Sequence, residues 1–367
     1  MSTLERWRKT SAQALVPMAC VTALILAIGA LDNAPLTSVA ISMLVNLTLV
    51  VGTYVFSGNS GVVSFGQLSF MMIGAYTTAL VTIPANLKKI LLPNLAPWLR
   101  DVQVDYVAGV LIAAAVSAAI AFVVGLPLSR LTGLGAGIAS LALLLIVQTV
   151  FSQWDDVTMG AQTMIGIPTG LSLWPALGLA LLAIVAAFAY QRSRAGLRMC
   201  AAREDELAAI AMGVDVARER HLAFTLSGAV CGMGGGMMAG YLGALNSTLS
   251  SFLTPTFLTV AMLVIGGLYS LWGAVTGTLF VTVVVEILRR FEEGVDVFGI
   301  QILAPAGLDQ VVLGIILLLT LYLRPDGITR SSEARWPRFR RPESTVPDPV
   351  ASVDVPVSEP VSAGRGD

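Results

Sequence analysis

QRSRAGLRMCAAREDELAAIAMGVDVARER, residues 191–220, is a charged island in an otherwise apolar chain. Its arginines stand at 192, 194, 198, 203, 218 and 220, and its acids are Glu204, Asp205, Glu206, Asp215 and Glu219. Apolar stretches flank it on both sides, each close to the ~20 residues that a helix needs to cross a hydrocarbon core ~30 Å thick. A short, charge-balanced loop held between two spans is expected to be structured and to receive a soluble partner. Glu204, Asp205 and Glu206 suit the start of a short helix, where the dipole favours negative charge. Leu207, Ile210 and Ala211 recur at helical spacing and form a small apolar face. Gly213 stands where that helix stops, and Asp215 is placed to cap the next one. The island therefore reads as two short helices.

The rest of the chain places the island in a membrane. Of its 367 residues 56% are apolar and 12% charged, against roughly 25% charged in an ordinary soluble domain. Mean hydropathy is +0.80. Apolar segments fall at roughly 14–30, 36–56, 63–83, 104–128, 131–151, 171–190, 221–243, 254–270, 272–289 and 308–323. Backbone polar groups must bond internally in lipid, so these segments read as helices. The expected fold is all-α, a polytopic bundle of about ten transmembrane helices spanning 14–330. Residues 1–13 precede it. Residues 331–367, rich in Pro, Ser, Val and charge, read as a disordered tail.

Positive charge sets the expected orientation. Arg6, Arg8 and Lys9 place the N-terminus in the cytosol, and we read 14–30 as a span rather than a cleaved leader, although Ala27 and Gly29 resemble a cleavage site. Counting spans then puts Arg130, the island, Arg324 and the arginines at 330, 335, 338, 340 and 341 inside, so both termini are cytosolic. Lys88, Lys89, Arg100, Arg289 and Arg290 break the rule and are expected on the external face.

Several chemistries are disfavoured. Cys20, Cys200 and Cys231 form no CxxC pair, and the lone His221 cannot build a metal cluster. No metal site and no cofactor is expected on this chain. The pattern G-x-x-x-x-G-K-[ST] is absent, so the sequence carries no Walker ATP site. Ionisable groups are scarce inside the spans, and Glu286 can pair locally with Arg289 and Arg290. A proton- or ion-coupled pump would need such groups.

Three further stretches carry candidate function. GNSGVVSFGQLSFMMIGAYTTA (58–79) places Gly58, Gly61, Gly66 and Gly74 beside Ser60, Ser64, Gln67, Ser69, Tyr76 and Thr77. Small residues let helices approach closely, and polar ones can line a cavity. Two readings stand: plain packing, or a translocation path of Gly61, Ser64, Gly66, Gln67, Ser69 and Tyr76 with the glycines breaking a helix. GAVCGMGGGMMAGYLG (228–243) lacks a lysine and lies mid-span, so it reads as close packing or a kink rather than a phosphate loop. LVIGGLYSLWGAVTG (263–277), with Gly266, Gly267, Ser270 and Gly273, reads either as a tight re-entrant or hairpin corner between two short spans or as plain helix packing.

Together these stretches resemble the permease family of branched-chain amino-acid ABC importers, in order across most of 36–328. GNSGVVSFGQLSFMMIGAYTTAL is similar to the family's G-x-x-G-[LV]-[LV]-S-[LF]-G-[HQ]…G-A-Y-T. GLRMCAAREDELAAIAMGVDV resembles its cytosolic coupling segment, LVIGGLYSLWGAVTG its glycine corner, and RPDGI (324–328) its closing R-P-x-G-[LI]; MGAQTMIGIP (159–168) is a weaker match. The resemblance implies a transport subunit that pairs with a second, homologous permease. It implies two cytosolic ABC ATPases that bind ATP and Mg, and an extracytoplasmic solute-binding protein; lipid surrounds the chain and no nucleic acid is involved. It assigns coupling to Arg203, Glu204, Asp205, Glu206, Leu207, Ala208, Ala209 and Gly213. Met71, Met72, Met159, Thr163, Tyr269 and Ala274 replace residues that are usually smaller in the family. The expected cargo is a branched-chain or other small amino acid, with urea or a short amide as the alternative. An ATP-independent carrier is the competing class.

Overall fold

The computed structural model describes residues 34–293, 295–297, 300–302, 307–324 and 327–329, preceded by 18, 20–23 and 25. Residues 1–334 and 335–367 separate into two units, and the description concerns the first. The expected tail at 331–367 lies outside the described residues, as does most of the expected span 14–30, of which 18, 20–23 and 25 are helical.

The chain forms a helical bundle. Its long elements are α1 (Ala34–Ser60), α2 (Gln67–Thr82), α5 (Tyr106–Leu128), α6 (Gly133–Gln153), α8 (Leu173–Arg192), α11 (Val216–Leu242), α12 (Leu249–Gly266), α13 (Leu271–Glu293) and α14 (Leu308–Leu323). Shorter ones are α3 (Ala85–Leu91), α4 (Pro97–Arg100), α7 (Asp155–Thr158), α9 (Arg194–Glu204) and α10 (Glu206–Ala211). Among the described residues six helices are long and apolar enough to cross a membrane, or seven if α2 and α3, bent by 116° at their break, count as one span. α12 and α14 carry shorter apolar runs, Leu253–Gly266 and Val311–Thr320. Among the described residues nine of the ten spans expected from sequence therefore appear as helices, and length and apolar character together qualify six or seven as crossing.

Two small antiparallel ladders, not foreseen in the sequence, tie loops together. β1 (Met164–Ile165) pairs with β2 (Ala244–Leu245), and β3 (Val295–Val297) with β4 (Ile300–Ile302).

α11 is the hub, and its glycines explain why. Gly228, Gly232, Gly236 and Gly240 recur every fourth residue, so they share one helix face. That face meets α5, where a Cβ on these glycines would overlap Ala121, Ser117, Thr78 of α2 or Tyr106. The Tyr106 hydroxyl donates to the Gly236 carbonyl at 2.9 Å. Gly235 faces the Met71 carbonyl of α2, and Gly234 faces Leu49 of α1. One helix thus approaches three neighbours at backbone distance, as small residues permit in membranes. α11 runs unbroken from Val216 to Leu242, so the glycine run serves close packing without interrupting the helix.

Contacts also give the helix directions. Gly125 of α5 meets His221, and Tyr106 meets Gly240, so α5 and α11 are antiparallel. Gly74 meets Gly232, and Gly228 meets Phe70, so α2 runs parallel to α11. The connections 61–66, 129–132, 193–215 and 267–270 consequently gather at one end, with the island. At the other end, the cations that break the charge rule have local partners. Lys88 is fully buried and donates to the carbonyls of Leu99 and Val102. Arg100 donates to those of Pro93 and Leu95. Lys89 pairs with Asp101 at 3.5 Å, and Arg289 and Arg290 each reach Glu286 at 3.0 Å.

Candidate functional site

The island folds by caps. Ser193 Oγ accepts from the Gly196 amide at 3.1 Å and starts α9. Asp205 takes extended backbone (φ −151°, ψ 106°), ends α9, and accepts from the Ala208 amide at 2.9 Å to start α10. Glu204 therefore closes the first helix instead of opening the second: a cap needs non-helical backbone, and Asp205 supplies it. Gly213, at φ +83°, reverses the chain after α10 in a conformation that suits glycine. Asp215 accepts from the Arg218 amide at 3.1 Å and starts α11.

Most of the island's charge is spent inside it. Arg220 forks onto Glu206, with its two terminal nitrogens at 3.2 and 2.9 Å from the two carboxylate oxygens. Arg198 reaches the buried Glu219 at 3.1 Å. Ala202, Ala209 and Val216 pack into a small apolar cluster with Val214 against it. Glu206 and Ala209, both assigned to coupling, thus form the frame of this knuckle. Ala208 lies exposed beside them. The apolar face expected of Leu207, Ile210 and Ala211 turns outward: Leu207 is 80% exposed, Ile210 53%, and Met212 extends the patch at 85%.

Arg203 binds the knuckle to the bundle. Its Nη1 donates to the Gly58 carbonyl near the end of α1 at 2.9 Å. Its guanidinium carbon lies 4.6 Å from the centroid of the Tyr269 ring. Nε and Nη2 reach Glu204 at 3.1 and 2.6 Å. Gly61 has φ +75°, and a Cβ there would come within 2.7 Å of Arg203 Cγ. Only glycine meets both demands at low cost. α1 continues to Ser60, past the end expected at 56, because Gly58 packs against Tyr54 and the Leu268 carbonyl.

Tyr269 sits in the corner between α12 and α13. There Gly266 and Gly273 are in backbone contact, Gly267 holds φ +128°, and the Ser270 hydroxyl accepts from the Gly273 amide at 2.8 Å. The chain after α14 closes over this corner. Ile328 and Thr329 amides donate to the Ile265 and Gly266 carbonyls at 2.9 and 3.2 Å. Four stretches far apart in sequence, 58–61, 203, 266–273 and 327–329, thereby converge.

The proposed path residues are placed differently. Ser64 and Gly66 lie in the connection between α1 and α2, where Gly66 abuts Ser140 of α6 and the Phe65 amide donates to Ser140 Oγ at 3.2 Å. Ser64, Gln67 and Ser69 are buried at 1% exposure or less. Their side-chain polar atoms have no hydrogen-bond partner, nor has the Thr78 hydroxyl. Tyr76 is buried, its ring stacked on Phe151 with centroids 5.1 Å apart. A small cavity of about 150 Å³, lined by Met71, Ala75, Thr163, Met238, Leu242 and Asn246 among others, opens farther along α2. Sequence reading missed Thr78, Ser140 and the framing role of Arg220; no local pattern marks a partner supplied by another helix. Among the described residues no three His, Cys, Asp or Glu side chains come together as a metal site requires.

A multi-pass helical bundle whose one end carries a capped, outwardly apolar knuckle, joined to two glycine corners, is the build of a membrane transport subunit. The chain belongs to the family of branched-chain amino acid transport system permease components, whose model matches residues 35–321. It is a transmembrane permease subunit of an ATP-binding-cassette importer. It is similar to the high-affinity branched-chain amino acid transport system permease protein LivM of Escherichia coli (strain K12), at 25% identity over 82% of this chain and 70% of the relative. The guanosine ABC transporter permease protein NupQ of Bacillus subtilis (strain 168) is 31% identical over 62% of this chain and 73% of the relative. The probable branched-chain amino acid transport permease protein LivH of Methanocaldococcus jannaschii is 26% identical over 53% and 56%. No solved structure matches the chain.

Proposed function

We propose that this permease imports a branched-chain or other small amino acid across the cytoplasmic membrane, and that α10 is the element its ATPases grip. The carrying observation is the exposed triad Leu207, Ile210 and Met212 on a knuckle in which Arg198, Arg203 and Arg220 pair with Glu219, Glu204 and Glu206. Exposed apolar side chains on a rigid polar frame are the composition of a docking surface. On this reading the knuckle is cytosolic, as are Arg130 and both termini. Two ATPase subunits bind ATP and Mg, and this chain binds neither. A second, homologous permease completes the membrane part, and a solute-binding protein delivers cargo at the opposite end.

The unpaired Ser64, Gln67, Ser69 and Thr78 support a path for a polar solute along α2. A buried polar group left unpaired costs about 1–3 kcal/mol, and water or cargo would relieve that cost. A second cargo reading draws on the similarity to a guanosine permease: a nucleoside, whose hydroxyls and ring nitrogens suit the same groups. Uptake of labelled leucine by cells carrying the whole importer, competed with guanosine, urea or a short amide, separates these cargoes.

The docking assignment is tested by Leu207→Gln with Met212→Gln. Both positions are exposed, so membrane levels stay at wild type, while the ATPase retained on the purified permease falls at least tenfold. Retention at the wild-type level removes α10 as the docking element.

A further inference from the structure

We infer that Arg203 is the joint that carries motion of the docking knuckle into the membrane helices, rather than another contact for the ATPase. The inference rests on the coupling reading above and adds the route inward.

A force applied to α10 enters the middle of the bundle through α11, which packs on α1, α2 and α5; the end of α1 and the α12–α13 corner lie beyond the chain connections of the knuckle. α9 continues from α8, and α11 follows α10 directly, so both move with the knuckle. α1, α12 and α13 share no loop with it. Cys200 also donates to Asn59 at the end of α1 at 3.5 Å, but Arg203 touches both regions: the end of α1 through the Gly58 carbonyl, and the α12–α13 corner through the Tyr269 ring. The side chain is only about one-fifth exposed (21%), and its stem fills the space that Gly61 leaves. It is two residues before Asp205, so its backbone lies at the junction between α9 and α10.

Guanidinium chemistry suits this task. A planar fork donates in its own plane while its face lies against an aromatic ring, so one group holds two elements in fixed relation. A lysine ammonium is a point charge and can serve one partner or the other. Glu204 completes the device by holding Nε and Nη2, which leaves Nη1 aimed at Gly58. Coupling between sites is physically warranted where a packed element has two arrangements that both sites bias. The Arg203 contacts are the packed element through which the knuckle biases both corners.

The test uses the whole importer in proteoliposomes with its ATPases and binding protein. Arg203→Lys is expected to leave ATPase co-purification and basal hydrolysis within twofold of wild type, and to lower solute moved per ATP at least tenfold. Tyr269→Leu keeps an apolar side chain and removes the ring face, and lowers the same ratio about threefold or more. The double variant is expected to be no worse than Arg203→Lys alone, because both changes break one joint. An unchanged ratio in Arg203→Lys overturns the inference. So does a parallel fall in hydrolysis and transport, which marks a purely structural residue, and so does additive loss in the double variant. If the ATPases fail to co-purify with the wild-type chain, it is the coupling reading itself that fails, before any variant is compared.

Discussion

Gln67 concentrates the tension between stability and function in a single side chain. Its amide is fully buried at the start of α2 with neither nitrogen nor oxygen bonded. Replacing an unsatisfied buried group with an apolar one of similar shape removes a cost of about 1–3 kcal/mol. Gln67→Leu is therefore expected to raise the melting temperature in detergent while uptake falls at least tenfold; a variant that transports normally would show that the amide does not serve the path. Gly235 makes the opposite case. Its Cα faces the Met71 carbonyl with no room for a Cβ, and overpacking costs roughly 1–3 kcal/mol or more. Gly235→Val is expected to lower the monodisperse fraction on size exclusion sharply, whereas Gly135→Val on α6, where nothing lies within 4 Å of the added atom, leaves that fraction unchanged.

At the scale of an element, the knuckle holds its shape through one fork. Arg220 is 8% exposed at its side chain and Glu206 36%. Removing the carboxylate leaves a nearly buried cation, but the half-open partner moderates the cost to about 1–2 kcal/mol, below the ~3–5 of a fully buried pair. Glu206→Gln is expected to speed protease cleavage between 205 and 215 roughly tenfold, since 1.4 kcal/mol is a factor of ten in local opening, without lowering membrane insertion. An unchanged cleavage rate would mean that the Asp205 and Asp215 caps alone hold α10. The helix ending at Gly213 and the Asp215 cap were legible because stops and caps are local signals, whereas α9 and the break at Asp205 were not. Nor was it legible that Glu206 faces Arg220 and that Leu207 faces outward, because side-chain direction depends on where α11 stands.

For the molecule as a whole, the helix directions bring every connection on the island's side to one surface, and orientation in the membrane becomes a single binary question. With Cys20, Cys200 and Cys231 replaced by serine, Met212→Cys is expected to react with an impermeant maleimide only after the membrane is opened or inverted. Reaction in intact cells would turn the molecule over and end the assignment of α10 to cytosolic ATPases. The charge exceptions at the far end do not argue for the reverse orientation, because Lys88 and Arg100 are engaged by carbonyls of the 93–102 segment and Arg289 and Arg290 by Glu286.

Composition, apolar run length and the order of four motifs were enough to determine a polytopic helical permease, because the cost of burying backbone in lipid leaves helices as the outcome and length sets their number to within a few. Local chemistry also determined the bend at Gly213 and Asp215. Only the tertiary structure decided that the glycines of α11 serve three neighbours at once and that α1 runs on to Ser60. It alone decided that Arg203 closes on Gly58 and Tyr269, 145 and 66 positions away. These are contacts between distant segments. Their energies depend on distances that no periodicity within one segment encodes.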